Sequence, residues 1–62
     1  MRITIDEWLE DHDNPELEGY DWEEVMEEAV RDYNEEFGTN YQPRIAIRNY
    51  KTWKRDKQWG DI

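Results

Sequence analysis

The 62-residue chain contains no cysteine, no serine and only one histidine. Without cysteine it can form no disulfide, thiolate nucleophile or zinc–thiolate site. Threonine and tyrosine supply the only hydroxyl groups, and the chain has neither a glycine-rich phosphate loop nor an H-E-x-x-H motif. His12 ends a predicted helix, where such a residue usually interacts with the helix dipole in solvent. We therefore predict a protein that is not an enzyme and that binds no cofactor or metal.

Long hydrophobic segments are also missing. The longest uninterrupted apolar run has only three residues, which excludes a membrane-spanning helix and the core of a signal peptide. We therefore expect a cytoplasmic protein without a membrane partner, either in its own cell or in an infected host. Nine aromatic residues, four of them tryptophan, offer enough apolar surface to fold one small domain despite the abundant charge.

Basic residues are scarce in the first part of the chain. Residues 1–38 hold fifteen acidic and two basic residues, whereas residues 39–62 hold two acidic and six basic residues. We expect a single domain over residues 1–62, with an acidic helical part (1–38) and a basic, aromatic C-terminal segment (39–62). Repulsion among so many carboxylates opposes folding, so it requires either a binding partner or a compensating part of the same molecule.

The first helix is predicted from its capping residues. Thr4, followed three residues later by Glu7, forms the pattern of a capping box, and carboxylates in the first turn suit the helix dipole. Asn14-Pro15 and Gly19 then interrupt the helical pattern, because the residue before proline avoids the helical region and glycine ends helices.

The second helix is expected to have Asp21 as its N-cap, with Glu24 completing a capping box, and to end at Gly38. Apolar residues recur between them every three or four positions and form one stripe along the helix. We expect this stripe to face the core. Together with a tryptophan of the first helix, the predicted core consists of Trp8, Trp22, Val25, Met26, Ala29, Val30, Tyr33 and Phe37.

The C-terminal third supports two interpretations. Pro43 suits the first position of a helix. Ile45 and Ile47 alternate with other residues in the manner of a short strand, but this alternation stops at Asn49, so we favour the helix. That helix would turn inward Ala46, Ile47, Tyr50 and Trp53. The predicted fold is a compact, mainly α domain of two or three helices, with a short strand in the C-terminal third as the alternative.

The outward side of the second helix is almost entirely acidic. Its carboxylates recur at intervals of three or four residues, in one long row and one shorter row, and Arg31 interrupts the shorter row. Neighbours in a row lie about 6 Å apart, a distance comparable to that between DNA phosphates. Most exposed helices mix charges, because like charges four residues apart destabilise a helix. The predicted partner-binding residues are Glu24, Glu28, Asp32, Glu35 and Glu36 in the long row, Glu23 and Glu27 in the shorter row, and Glu10 and Asp11 in the first helix.

These patterns lead to two hypotheses about function. The first is an acidic inhibitor of phage or mobile-element type that mimics DNA and blocks a host-defence enzyme, of the restriction or CRISPR type. Its partner would be a DNA- or RNA-binding host protein, and it would not bind nucleic acid directly. The alternative is an acidic interaction module or adaptor that inhibits or regulates its partner through exposed aromatic residues. A domain this small with surplus aromatic residues is also a candidate for homodimerisation.

The segment 33–56 carries a further pattern, formed by Glu35, Glu36, Gly38, Pro43, Asn49, Tyr50, Arg55 and Asp56. In these positions it resembles the C-terminal region of the ArdA antirestriction proteins. That family has an acidic helix ending in E-E-x-G, followed by a proline-started segment with N-Y, aromatic residues and R-D. The resemblance implies a DNA mimic, carried by a mobile element, that occupies restriction enzymes.

The basic C-terminal segment supports two roles. Its cations alternate with Tyr50, Trp53 and Trp59, as in proteins that bind single-stranded nucleic acid by stacking on bases. The acidic helices would repel such a ligand over a Debye length of about 8–10 Å. We therefore favour the other role, in which this segment lies near the acidic helices, offsets their repulsion and completes the core.

Overall fold

The computed structural model describes residues 3–59, with the backbone alone at Trp59. It consists of three helices, α1 (Ile5–His12), α2 (Gly19–Phe37) and α3 (Pro43–Trp59). The mainly α prediction is confirmed, and the alternative strand is absent from the described residues. Ala46 and Ile47 are both buried while Ile45 is 52% exposed, and burial of two adjacent residues fits a helix rather than an alternating strand. None of the helices within residues 3–59 is both long and apolar enough to cross a membrane.

Helix α1 begins where its capping residues predict. The side chain of Thr4 accepts a hydrogen bond from the Glu7 amide at 3.3 Å. At the other end of the helix, the Asp13 amide donates to the Glu10 carbonyl at 3.3 Å. The Asn14 side chain accepts from the Glu16 amide at 3.0 Å and so turns the chain towards α2.

Helix α2 begins three residues earlier than its sequence suggests. The predicted N-cap, Asp21, instead lies in the first turn, and the cap position is taken by Glu18, whose side chain makes no capping hydrogen bond. The early start depends on Gly19, whose φ of +59° is a conformation that other residues rarely adopt. Asp21 still suits its position, because a negative charge in the first turn interacts favourably with the helix dipole.

One asparagine organises the turn between α2 and α3. Gly38 ends α2 in the left-handed conformation, at φ +66°, and its amide donates to the Asn34 carbonyl. The Asn34 side-chain oxygen accepts from the Tyr41 amide at 2.9 Å and from the Thr39 hydroxyl at 2.7 Å, while its nitrogen donates to the Tyr41 carbonyl at 2.9 Å. The chain is thereby reversed before Pro43 starts α3.

Helices α2 and α3 form an antiparallel pair, and α1 packs against both. Trp22 near the start of α2 lies beside Lys51 in the second half of α3.

The prediction that Val25 belongs to the core is wrong, because it is 37% exposed. It lies about 100° around the helix from Met26, at the edge of the buried stripe. The buried residues are Leu9, Met26, Ala29, Val30, Tyr33, Ala46, Ile47 and Tyr50, and Trp8, Trp22, Phe37 and Trp53 are partly buried around them.

Candidate partner-binding surface

The predicted partner-binding carboxylates lie on α1 and α2, and nearly all of them are exposed. Only Glu27 is half-buried. The helices divide the set into three groups with different surroundings: the outer side of α2, the side of α2 that faces α3, and the C-terminal half of α1. The exposed members are Glu10, Asp11, Glu23, Glu24, Glu28, Asp32, Glu35 and Glu36.

The first group forms an acidic ridge of four exposed residues, Glu24, Glu28, Asp32 and Glu35. They lie on successive turns of one continuous helix, on the side opposite the buried stripe, and neighbours are about 4.5–6 Å apart along the axis. No ion pair joins any of them to a lysine or arginine within residues 3–59. Glu36 lies about 100° around the helix from Glu35 and is exposed beside the ridge rather than on it.

The second group, Glu23 and Glu27, faces α3. These two carboxylates line a groove between α2 and α3 with a volume of about 550 Å³. Across the groove stand three cations of α3, and Tyr20 and Ile47 complete its lining. The two rows of carboxylates predicted for α2 therefore lie on different surfaces, one facing solvent and one facing positive charge. The cations of the groove are Arg44, Arg48 and Lys51.

The third group lies on α1 and is partly neutralised by α3. The Lys57 ammonium lies 3.5 Å from a Glu10 carboxylate oxygen, and both side chains are substantially exposed. An exposed pair of this kind contributes about 0–1 kcal/mol. Asp11, the neighbouring residue, is exposed and pairs with no cation in the part of the chain that the structure describes. The acidic surface of α1 is thus weaker than that of the ridge.

A carboxylate outside the predicted set, Asp13, has the most contacts. One of its oxygens accepts from the Trp22 indole at 2.7 Å, and the other accepts from the Tyr50 hydroxyl at 2.6 Å and the Lys54 ammonium at 2.9 Å. Its side chain is only 12% exposed. The residue that follows α1 is therefore tied to both α2 and α3. No local pattern singles out Asp13, because its partners lie 9, 37 and 41 residues away.

These contacts change the proton affinity of both Asp13 and Tyr50. Burial alone would raise the pKa of Asp13, but hydrogen bonds from Tyr50, Trp22 and Lys54 and the charge of Lys54 outweigh it and hold the pKa below its usual value. Burial, together with the hydrogen bond to Asp13, raises the pKa of Tyr50. Asp6 differs, since partial burial raises the pKa of its carboxyl. Asp13 is therefore held in its charged form, and Tyr50 remains a hydrogen-bond donor.

The aromatic residues of α3 differ in their burial. Tyr50 is only 1% exposed, and Trp53 is half-buried with the Lys57 ammonium 4.9 Å from its ring centroid. The prediction for the side chain of Trp59 lies outside the described residues. The Tyr50 ring is therefore not accessible for stacking on a nucleotide base, whereas Trp53 keeps part of its ring exposed.

His12 has a structural contact of its own. Its Nδ1–H donates to the Trp8 carbonyl at 2.8 Å, and its ring stacks on the Trp8 indole with centroids 5.0 Å apart.

Within residues 3–59 no three histidine or acidic side chains are grouped closely enough to hold a metal ion. The carboxylates are thus spread along helices rather than gathered around a centre.

Comparison of the chain with protein-family models, with curated proteins and with solved structures found no match. Function must therefore be inferred from the geometry of the three helices. That geometry offers two distinct surfaces, the acidic ridge of α2 and the mixed-charge groove between α2 and α3.

Proposed function

We propose that this protein is an acidic inhibitor of phage or mobile-element type, which occupies the nucleic-acid channel of a host-defence enzyme by mimicking DNA. The observation that carries the proposal is the acidic ridge: four exposed carboxylates on successive turns of α2, with no cation paired to them within residues 3–59. The expected partner is a protein that binds DNA or RNA, and direct binding of nucleic acid by this chain is not expected.

The spacing of the ridge supports mimicry of a phosphate backbone. Its members repeat every three or four residues, about 4.5–6 Å along the axis of α2, and a protein that holds DNA places its cations to meet phosphates at comparable intervals. Glu24 and Glu28, and also Glu28 and Asp32, are like-charged pairs four residues apart. Each such pair costs about 0.2–0.5 kcal/mol of helix stability. A helix selected for stability alone would place a lysine or arginine at one of these positions.

Hydrogen bonds on the buried side of α2, opposite the ridge, hold this helix in place. Trp8 donates from its indole nitrogen to the Ala29 carbonyl at 3.0 Å, and the Tyr33 hydroxyl donates to the Ile3 carbonyl at 2.9 Å. Both contacts attach the segment around α1 to the buried side of α2. A surface fixed before binding loses little conformational entropy when it meets its partner.

Helix α3 supports this function from the opposite side. Two of its lysines pair with carboxylates near α1, Lys54 with Asp13 and Lys57 with Glu10. These contacts reduce repulsion where the three helices meet, while the ridge keeps its charge. The division of roles explains how a chain of net charge −9 can fold and still present an acidic surface.

The adaptor hypothesis also has an observation in its favour. Tyr20 is 78% exposed and Tyr41 is 45% exposed, and exposed tyrosines are frequent anchors of protein interfaces. In that case a few aromatic residues would dominate binding energy, and loss of ridge charge would have little effect. The two functions therefore predict opposite sensitivities to substitution.

The experiment is an inhibition assay with a panel of restriction endonucleases and CRISPR effector nucleases, each cleaving a labelled DNA duplex. The resemblance of residues 33–56 to ArdA proteins makes restriction enzymes the first to test. Wild-type protein should inhibit at least one nuclease, and added DNA should relieve the inhibition competitively. The test variant carries Glu24→Gln, Glu28→Gln and Asp32→Asn, and it should remain folded by circular dichroism but lose most inhibition.

A matched control removes the same charges elsewhere, through Glu16→Gln, Glu18→Gln and Asp56→Asn, all at exposed positions. This control should inhibit like the wild type. The proposal is overturned if the folded ridge variant inhibits as strongly as the wild type, or if inhibitor, nuclease and DNA form a ternary complex. Loss of inhibition on Tyr20→Ala or Tyr41→Ala, with the ridge variant still active, would establish the adaptor instead.

A further inference from the structure

The groove between α2 and α3 has walls of opposite charge. Its α2 wall contributes Glu23 and Glu27, and its α3 wall contributes Arg44, Arg48 and Lys51. The groove has a volume of about 550 Å³ and extends along about two turns of each helix. The acidic ridge lies further around α2 and takes no part in this groove.

The two walls do not neutralise each other. No ion pair joins Glu23 or Glu27 to a cation of α3 in the stretch 3–59. The Lys51 ammonium instead lies 5.1 Å from the centroid of the Trp22 ring. Both walls therefore keep charges that can be paired by an occupant that brings the opposite sign to each side.

A second copy of this chain meets that requirement through symmetry. A two-fold axis running along the groove exchanges its walls, so that the acidic wall of one copy faces the basic wall of the other, twice. Because α2 and α3 are antiparallel within one chain, each facing pair of helices is antiparallel as well. We propose that this groove is the interface of a homodimer, in which the α2–α3 pairs of two copies form a four-helix arrangement.

The charges select this axis over the other two-fold arrangement. An axis across the helices would place acidic wall against acidic wall and basic wall against basic wall. Like charges placed opposite each other at an interface are costly, and complementary charges fix the register of association. Only the axis along the groove brings opposite charges together on both sides.

Tyr20 supplies the apolar contact that charge pairs alone lack. It lines the groove, and at 78% exposure it has the most exposed large hydrophobic side chain that the structure describes. Buried aromatic residues commonly anchor interfaces. The dimer covers two copies of Tyr20 and leaves both acidic ridges facing outward, so its formation does not depend on the function proposed above.

The test measures the oligomeric state of the full chain by sedimentation velocity over a series of concentrations. One variant reverses the acidic wall (Glu23→Lys, Glu27→Lys), and another reverses the basic wall (Arg44→Glu, Arg48→Glu). Each variant alone should be a monomer, because both of its walls then carry the same sign. An equimolar mixture of the two should form a heterodimer, since every wall of one now faces the opposite charge on the other.

The matched control, Glu24→Lys with Glu28→Lys, changes the charge equally but on the ridge, and it should dimerise like the wild type. Tyr20→Ala should weaken dimerisation about tenfold or more, as expected for an interface anchor. Circular dichroism establishes that each variant is folded. The proposal is overturned if the wild type stays monomeric up to about 1 mM, a limit for weak association. It also fails if the mixture of folded variants stays monomeric, or if the ridge control dissociates like the wall variants.

Discussion

Asp13 and the acidic ridge of α2 show two uses of the same chemical group. The Asp13 carboxylate is 12% exposed and accepts hydrogen bonds from Trp22, Tyr50 and Lys54. The ridge carboxylates are exposed and pair with no cation in the described residues. Asp13 connects the loop after α1 to both other helices, whereas the ridge connects nothing within the chain.

The contrast between Asp13 and the ridge depends on which carboxylates the cations of α3 can reach. Lys54 and Lys57 extend towards the α1 end of the molecule, and Arg44, Arg48 and Lys51 line the groove. None of them pairs with the ridge, which lies on the far side of α2. The fold therefore neutralises charge at the C-terminal end of α1, through Lys54 and Lys57, and leaves the ridge unpaired where α2 meets solvent. Substitution and pH should affect these two classes of carboxylate differently.

The largest effect is expected from Asp13→Ala. The substitution leaves the Trp22 indole, the Tyr50 hydroxyl and the Lys54 ammonium without their acceptor. Unpaired partly buried donors cost about 1–3 kcal/mol each, and we expect a total loss of about 3 kcal/mol in the free energy of unfolding. A domain of this size has only about 3–9 kcal/mol of stability, so urea unfolding should begin at much lower concentrations.

Asp13→Asn provides the graded comparison, because the amide keeps one acceptor oxygen but loses the charge that attracts Lys54. It should cost about half as much as the alanine substitution. A matched control is Asp11→Ala, which removes an exposed carboxylate two residues earlier and should change stability by about 0.5 kcal/mol or less. If Asp13→Ala is as mild as Asp11→Ala, the hydrogen bonds of Asp13 do not stabilise the fold.

A smaller effect of the same origin is expected from pH. The folded state lowers the pKa of Asp13, so its stabilisation is complete above the unfolded value of about 3.9 and is lost as pH falls through the folded pKa. The difference in unfolding free energy between wild type and Asp13→Asn should therefore be largest near neutral pH and shrink below about pH 4. Measuring this difference cancels the contributions of the other carboxylates. A difference that stays constant down to about pH 2 would contradict the assignment.

Local patterns predicted the helices because each depends on neighbours in sequence. Thr4 caps α1, Gly38 ends α2 and Pro43 starts α3. The start of α2 was missed because Gly19 adopts a positive φ, and no pattern in the sequence distinguishes such a glycine from one that breaks a helix. Leu9 is fully buried but was absent from the predicted core, since an eight-residue helix is too short to show a clear stripe.

The site was predictable only in part. Helical spacing identified the carboxylates of α2, but it could not show that Glu23 and Glu27 face α3 while Glu24 and Glu28 face solvent. That division depends on how α3 packs, which involves contacts between residues far apart in sequence. The same limit applies to Asp13, whose role arises from a hydroxyl and an ammonium group on α3.

The most direct test of the central claim is the unfolding free energy of the ridge variant with Glu24→Gln, Glu28→Gln and Asp32→Asn, measured by urea at low salt. We expect a gain of about 0.5–1.5 kcal/mol over the wild type, because three like-charged pairs four residues apart (24/28, 28/32 and 32/36) are removed and no ion pair within residues 3–59 is lost. The gain should vanish in about 0.5 M sodium chloride, where exposed charges are screened. A loss of more than about 1 kcal/mol would show that the ridge carboxylates stabilise the fold and are not reserved for a partner.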